Sequence, residues 1–189
     1  MALARRPPSP ERYETARRLI TTRVPGADPG AVDACLTLWR FSDELSSSFE
    51  AFYAAHHLSR ARGHVLIQLL DAAEGLTPAQ LADRCGATPA NVTGLLRSLQ
   101  REGLIRRERI AGDRRSQRIR LTLPGRRRVE ALLPALARRL ARIAGALTLA
   151  QRRTMREACR RICAAAKEMP ERNEPRPARA LRAPRSARR

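Results

Sequence analysis

Apolar positions along this chain recur mostly at three- and four-residue spacing, the period of helices that bury one face. Glu11 to Val24 carries Tyr13, Ala16, Leu19 and Ile20 at that spacing and stops at Pro25-Gly26. Asp28-Pro29-Gly30 opens a longer run with Val32, Cys35, Leu36, Trp39, Leu45, Phe49, Phe52 and Tyr53. Its stripe drifts around the helix, as expected where a helix packs against more than its own domain. Ser59 to Ala73 follows with Val65, Leu66, Leu69 and Leu70 inward. Two helix starts then come in nearly the same letters. Thr77-Pro78-Ala79-Gln80 offers a cap hydroxyl, a proline at the first helical position and a glutamine that can close a capping box. Thr88-Pro89-Ala90-Asn91 repeats the hydroxyl and the proline. Between them Cys85-Gly86-Ala87 makes a tight turn, because glycine adopts positive φ without steric cost. Leu81, Ala82 and Cys85 can face Val92, Leu95, Leu96 and Leu99, and Gly103 ends the second helix.

The period then changes. Leu104 to Ile110 and Gln117 to Leu121 read as strands, with Ile119 and Leu121 alternating with Arg118 and Arg120. Gly112-Asp113-Arg114-Arg115 forms the hairpin tip on this reading. Thr122 can cap a long helix with Val129, Leu132, Leu133, Leu136, Leu140, Ile143 and Leu147 on its stripe. Thr148-Leu149-Ala150-Gln151 is another capping box, opening a last helix with Met155, Cys159, Ile162, Cys163 and Ala166 on one side. The expected fold is mostly α with a small antiparallel β-wing.

Charge sharpens the picture. The chain has 189 residues and a formal net charge of +20, carried by arginine except for Lys167. Twelve arginines and three acids lie between Arg97 and Arg128, whereas residues 31–60 hold two arginines and four acids. A concentration of this kind favours a polyanion as partner. Residues 1–10 read as a disordered N-terminus and 169–189 as a basic disordered tail. No apolar run approaches the roughly 18 residues of a membrane helix, and no secretory signal is expected. Four irregularly spaced cysteines do not make a disulfide framework, which points to the reducing cytoplasm.

Two capped helices around a glycine turn, followed by a basic hairpin, make a helix-turn-helix with a wing. In such a motif the leading residues of the second helix meet base edges in the major groove. Here those are Thr88, Pro89, Ala90, Asn91, Thr93, Gly94 and Arg97. Asn91 can pair with adenine, Arg97 with guanine or a phosphate, and the small Ala90 and Gly94 allow close approach. Thr77 and Gln80 on the first helix, with Arg101, Arg106 and Arg107, suit phosphates, which position a protein without reading sequence. On the wing Arg114 can enter a minor groove. Asp113 is expected to brace Arg115, and Ser116 and Arg118 complete the contact set.

The runs Leu76-Thr77-Pro78-Ala79-Gln80-Leu81-Ala82, Val92-Thr93-Gly94-Leu95-Leu96, Leu99-Gln100-Arg101-Glu102-Gly103-Leu104-Ile105 and Asp113-Arg114-Arg115-Ser116, closing on Leu121-Thr122, resemble the MarR family of bacterial transcriptional regulators. The likeness covers roughly 31–168. It implies helices at 31–58 and 126–168 that interleave in a homodimer, and a winged helix-turn-helix at 59–122. It also implies a pseudo-palindromic double-stranded DNA operator and repression relieved by a small ligand, often aromatic or phenolic. The helical extension and linker at 11–30 and the arginine tail depart from the compact family pattern. A dimer also follows physically, because one small winged helix contacts too few base pairs to single out a genomic site. Two half-sites about 34–36 Å apart add their free energies.

Other chemistry is thinner. Trp39, Phe49 and Tyr53 could line an effector pocket, since flat ligands stack on aromatic rings, although core packing accounts for them equally. Cys35 is the candidate redox thiol, with neighbouring Asp33 working against its activation. His56 and His57 are adjacent and cannot easily share an ion, and nothing else has ligand spacing, so no metal or other cofactor is expected. No nucleophile elbow, phosphate-cradling loop or acid pair supports an enzyme. The expected function is a sequence-specific DNA-binding transcriptional regulator, a homodimeric repressor released by a small molecule. The alternative is a nucleoid-associated protein with little sequence preference.

Overall fold

The computed structural model describes residues 9–110 and 113–169; the side chains of residues 10, 110 and 113–116 lie outside that description. In chain order it contains α1 (Pro10–Arg23), α2 (Pro29–Ala55), α3 (Arg60–Asp71), α4 (Pro78–Cys85), α5 (Pro89–Arg101), β1 (Ile105–Ile110), β2 (Asp113–Leu121), α6 (Leu123–Ala144) and α7 (Leu149–Glu168).

Helix starts follow local chemistry. Asp28 accepts a hydrogen bond from the Gly30 amide at 2.8 Å, and Ser59 accepts from Arg62 at 3.3 Å. Thr77 and Gln80 complete both halves of a capping box, as do Thr148 and Gln151. Each such cap contributes about 1 kcal/mol. Gly86 closes α4 in the left-handed region, with φ 59°.

Contacts divide the chain after Leu136. The first unit holds the core. Val65, Leu66 and Leu69 of α3 meet Leu81 of α4 and Val92, Leu96 and Leu99 of α5 there. Ile105, Ile119, Val129 and Leu132 complete the cluster, each 2% exposed or less. Burying a side chain of this size stabilises by about 1.5–3 kcal/mol. Within the same unit α1 lies on α2, where the Tyr13 hydroxyl donates to Asp43 and Leu36 is buried.

The strands pair antiparallel from Ile105 opposite Leu121 to Arg109 opposite Gln117. Leu76 adds a single rung, exchanging backbone hydrogen bonds of 3.1 and 2.8 Å with Ile119. One expectation needs correction. Asp113, Arg114, Arg115 and Ser116 belong by backbone to β2, which begins at Asp113 rather than Gln117. Ile110 sits opposite Asp113, so residues 114–116 bulge from the ladder; Gly112 of the expected tip lies outside the described residues. The physical reason is the register shift after Arg109, which an alternation pattern does not reveal.

α6 begins under Thr122, whose hydroxyl accepts from the Gly125 amide at 3.1 Å and donates to the Gly103 carbonyl at 2.6 Å. Pro134 lies inside this helix and lacks the amide that would reach the carbonyl one turn back. The second unit starts at Ala137 with the last turns of α6 and continues as α7. Arg152 Nε donates to the carbonyls of Ala144 and Leu147 at 2.8 and 3.0 Å, fixing the turn between them. α7 buries none of its side chains. Among the described residues, no helix is long and apolar enough to cross a membrane.

At Gly125 an added Cβ would lie 1.9 Å from the Leu104 carbonyl oxygen, so the start of α6 can lie against the residue before β1 only through glycine. Gly125→Ala should destabilise the protein by about 1–3 kcal/mol. Urea unfolding followed by circular dichroism measures this, and an unchanged midpoint would contradict the packing described.

Candidate nucleic-acid interface

α5 is divided lengthwise. Val92, Leu96 and Leu99 point into the core, while Thr88, Pro89, Ala90, Asn91, Thr93, Gly94, Arg97 and Arg101 are all exposed. The apolar side fixes how the helix sits, and the other side is left to solvent. Thr88 caps the helix through the Asn91 amide at 3.3 Å, and the Thr93 hydroxyl donates to the Pro89 carbonyl at 2.9 Å. Among the described residues the Asn91, Arg97 and Arg101 side chains make no hydrogen bond or ion pair. A Cβ built on Gly94 meets nothing within 4 Å. Glycine in a helix interior costs about 0.5–1 kcal/mol relative to alanine, so nothing within the fold explains this one. On α4, Thr77 and Gln80 are committed to their capping box, with Gln80 exposed and Thr77 half-buried.

Three acids of the winged helix are paired from within. Glu102, just past α5, takes Arg62 and the Ser98 hydroxyl. Glu108 on β1 lies 2.8 Å from Arg106 and 2.9 Å from Arg120, which also reaches Glu74 at 2.9 Å. Surface pairs of this kind contribute little stability, about 0–1 kcal/mol each, but they cancel charge that would repel a polyanion. Arg107 Nε donates to the Gln100 side chain at 2.9 Å, tying β1 to α5. Arg118, expected among the contacts, instead donates to the carbonyls of Glu74 and Gly75 at 3.3 and 3.4 Å and braces β2 against the α3–α4 connection. The side chains of Asp113, Arg114, Arg115 and Ser116, with the expected Asp113–Arg115 pair, lie outside the described residues. Arg62, Glu74, Glu108 and Arg120 escaped sequence reasoning because their partners lie up to 46 residues away, or on the other strand.

The three aromatic pocket candidates are not brought together. Tyr53 is 1% exposed and seals the core against Gly63, while Trp39 is 67% exposed. They stand about 21 Å apart along α2. Phe49 is half-buried and meets Phe52 edge-on at 6.4 Å. Two clefts lie elsewhere in the first unit. One of about 400 Å³ between α1 and α2 is lined by Tyr13, Arg17, Leu36 and Arg40. The other, about 490 Å³, is bordered by His57, Leu58, Glu102, Leu104, Arg127 and Arg128.

Cys35 and Cys163 are exposed; Cys85 is half-buried, and burial pushes its thiol up. His56 ends α2 with Nδ1 2.9 Å from the Phe52 carbonyl, and His57 takes a positive φ of 55°. Among the described residues no three His, Cys, Asp or Glu side chains are placed to hold a metal ion.

Comparison with known proteins agrees with this geometry. The MarR family pattern matches residues 56–116. A curated relative, the HTH-type transcriptional repressor YetL of Bacillus subtilis (strain 168), is 35% identical over 108 residues. That match covers 57% of this chain, and the chain spans 65% of the relative's length. The crystal structure of the S. aureus MepR–DNA complex is similar, with TM-score 0.63 and 26% identity. It covers 68% of this chain and 96% of that one. A MarR-family regulator from Rhodococcus sp. RHA1 shares the fold at TM-score 0.61 and 22% identity, over 70% and 93% of the two chains.

His64 stands edge-on to Tyr53, with ring centroids 5.8 Å apart. Partial burial, aided by Arg60, holds its pKa below 6.5. The unfolded chain therefore takes up this proton more readily than the folded one. Stability from this site should be complete above pH 6.5 and decline as the pH falls below it. Chemical denaturation from pH 8 to 5 checks this; His64→Gln should flatten that decline, and identical profiles would refute the assignment.

Proposed function

We propose that the chain is a sequence-specific DNA-binding transcriptional regulator of the MarR family, a homodimeric repressor released by a small molecule; the family pattern at residues 56–116 and the likeness to YetL and MepR support this. The observation that carries this reading is the outer face of α5. That face is exposed from Thr88 to Arg101, holds an amide and two guanidinium groups with no described internal partner, and keeps a glycine that the fold does not need. An α-helix so furnished fits the major groove, with Asn91 suited to adenine and Arg97 to guanine. Arg101 and the wing take phosphates and fix the register.

The named relatives support the reading, one being a repressor and another having been solved with DNA. Exposed apolar side chains on the helices at both ends, Leu19, Trp39 and Phe41 early and Leu140, Met155 and Ile162 late, suit the second copy that two half-sites require. The cleft bordered by His57, Leu58, Leu104 and Arg128 has room for an effector and touches the end of α5 through Glu102. An architectural protein with little sequence preference would share a steep salt dependence, but Asn91 and Gly94 on α5 favour reading bases over merely coating DNA.

Footprinting on the chain's own upstream region should show a protected inverted repeat, where uniform coating would favour the architectural alternative. Arg97→Ala should weaken retention of that duplex about 5- to 100-fold, the range of one good base contact. Gly94→Ala should raise stability by about 0.5–1 kcal/mol and yet weaken binding. If both variants bind like the parent, α5 is not the reading helix.

A further inference from the structure

The strongest charge the winged helix leaves unexplained lies in the second unit. Between Ala137 and Met169 nine basic residues accompany two acids, a balance of +7. On α7 the arrangement is ordered. At about 100° per residue, Arg153, Arg156, Arg160 and Lys167 fall within a sector of about 60°. The apolar Met155, Cys159, Ile162 and Ala166 fill another sector about 120° away. The two stripes do not overlap, so a second copy of the chain can cover the apolar one and leave the cationic one open.

All four cations of the stripe are exposed. Glu157 pairs with Arg160 at 3.0 Å and Arg161 at 2.9 Å, and these bonds hold its carboxyl ionised. Among the described residues Arg153, Arg156 and Lys167 form no salt bridge, and Arg156 acts on Glu157 only through its charge. The stripe is about 21 Å long, enough to run past several phosphates of one strand at about 3.4 Å per phosphate.

We propose that this stripe of α7 is a second DNA-binding surface, gripping the phosphate backbone of duplex outside the operator without reading its sequence. Charge complementarity selects the partner, since three guanidinium groups and an ammonium aligned along one side of a helix suit a line of phosphates. The surface does not depend on α5, because every residue in it belongs to the other unit.

The test uses the full-length chain, an unrelated duplex without the operator, and titrations at several salt concentrations. R153Q/R156Q/R160Q/K167Q should flatten the log–log salt slope by about two to four and lower affinity about 10-fold or more, at 0.9 per phosphate. R153K/R156K/R160K should restore the slope, and circular dichroism confirms that each variant stays folded. The glutamine variant should still protect the operator repeat. R97A should lose that protection yet keep the stripe-dependent slope, so failure of the α5 reading and failure of this one are separable. An unchanged slope in the glutamine variant overturns the proposal. So does a loss confined to vesicles of phosphatidylglycerol, which would assign the stripe to a lipid surface.

Discussion

The burial of one side of α5 is the constraint on which the rest depends. Val92, Leu96 and Leu99 are at most 1% exposed, held between α3, α4 and the strands. A helix clamped along that line cannot rotate about its axis without pulling leucine into water, at about 0.8 kcal/mol for every methylene uncovered. The direction in which Asn91, Gly94 and Arg97 point is therefore settled by residues that face the other way. The wing is tied to the same body. Leu76 and Ile119 exchange two backbone hydrogen bonds, and Arg118 grips the carbonyls of Glu74 and Gly75.

Electrostatics is layered on that frame. Three acids of the winged helix are matched by arginines distant in the sequence, Glu102 by Arg62, and Glu74 and Glu108 by Arg120. These pairs are worth little as stabilisers. Their larger effect is on the field, since a carboxylate already engaged repels an approaching phosphate less. Arg97 and Arg101 are left with no described partner, which is the asymmetry a polyanion would exploit.

Much of this was legible in the sequence because it is local. The Thr-Pro starts of α4 and α5, the Gly86 turn and the stripe of Val92, Leu96 and Leu99 all leave their mark within a few residues, and helices, strands and caps follow from them. What escaped depends on separation along the chain. Arg118 reads as an outward cation on an alternating strand, and only the proximity of a backbone 43 residues away turns it inward. The bulge that puts Asp113–Ser116 into β2 depends on register between strands, not on composition. Trp39 and Tyr53 look alike as aromatic positions on one helix, and only the core decides that one is sealed and the other open.

The outer row of α5 has a further consequence. Ala90, Asn91, Gly94 and Arg97 hold no other part of the chain in place, and around Gly94 there is open space. Substitutions in this row meet little resistance from folding. Descendants of this protein could explore new target preferences there almost without thermodynamic penalty, while the leucines beneath keep the scaffold unchanged.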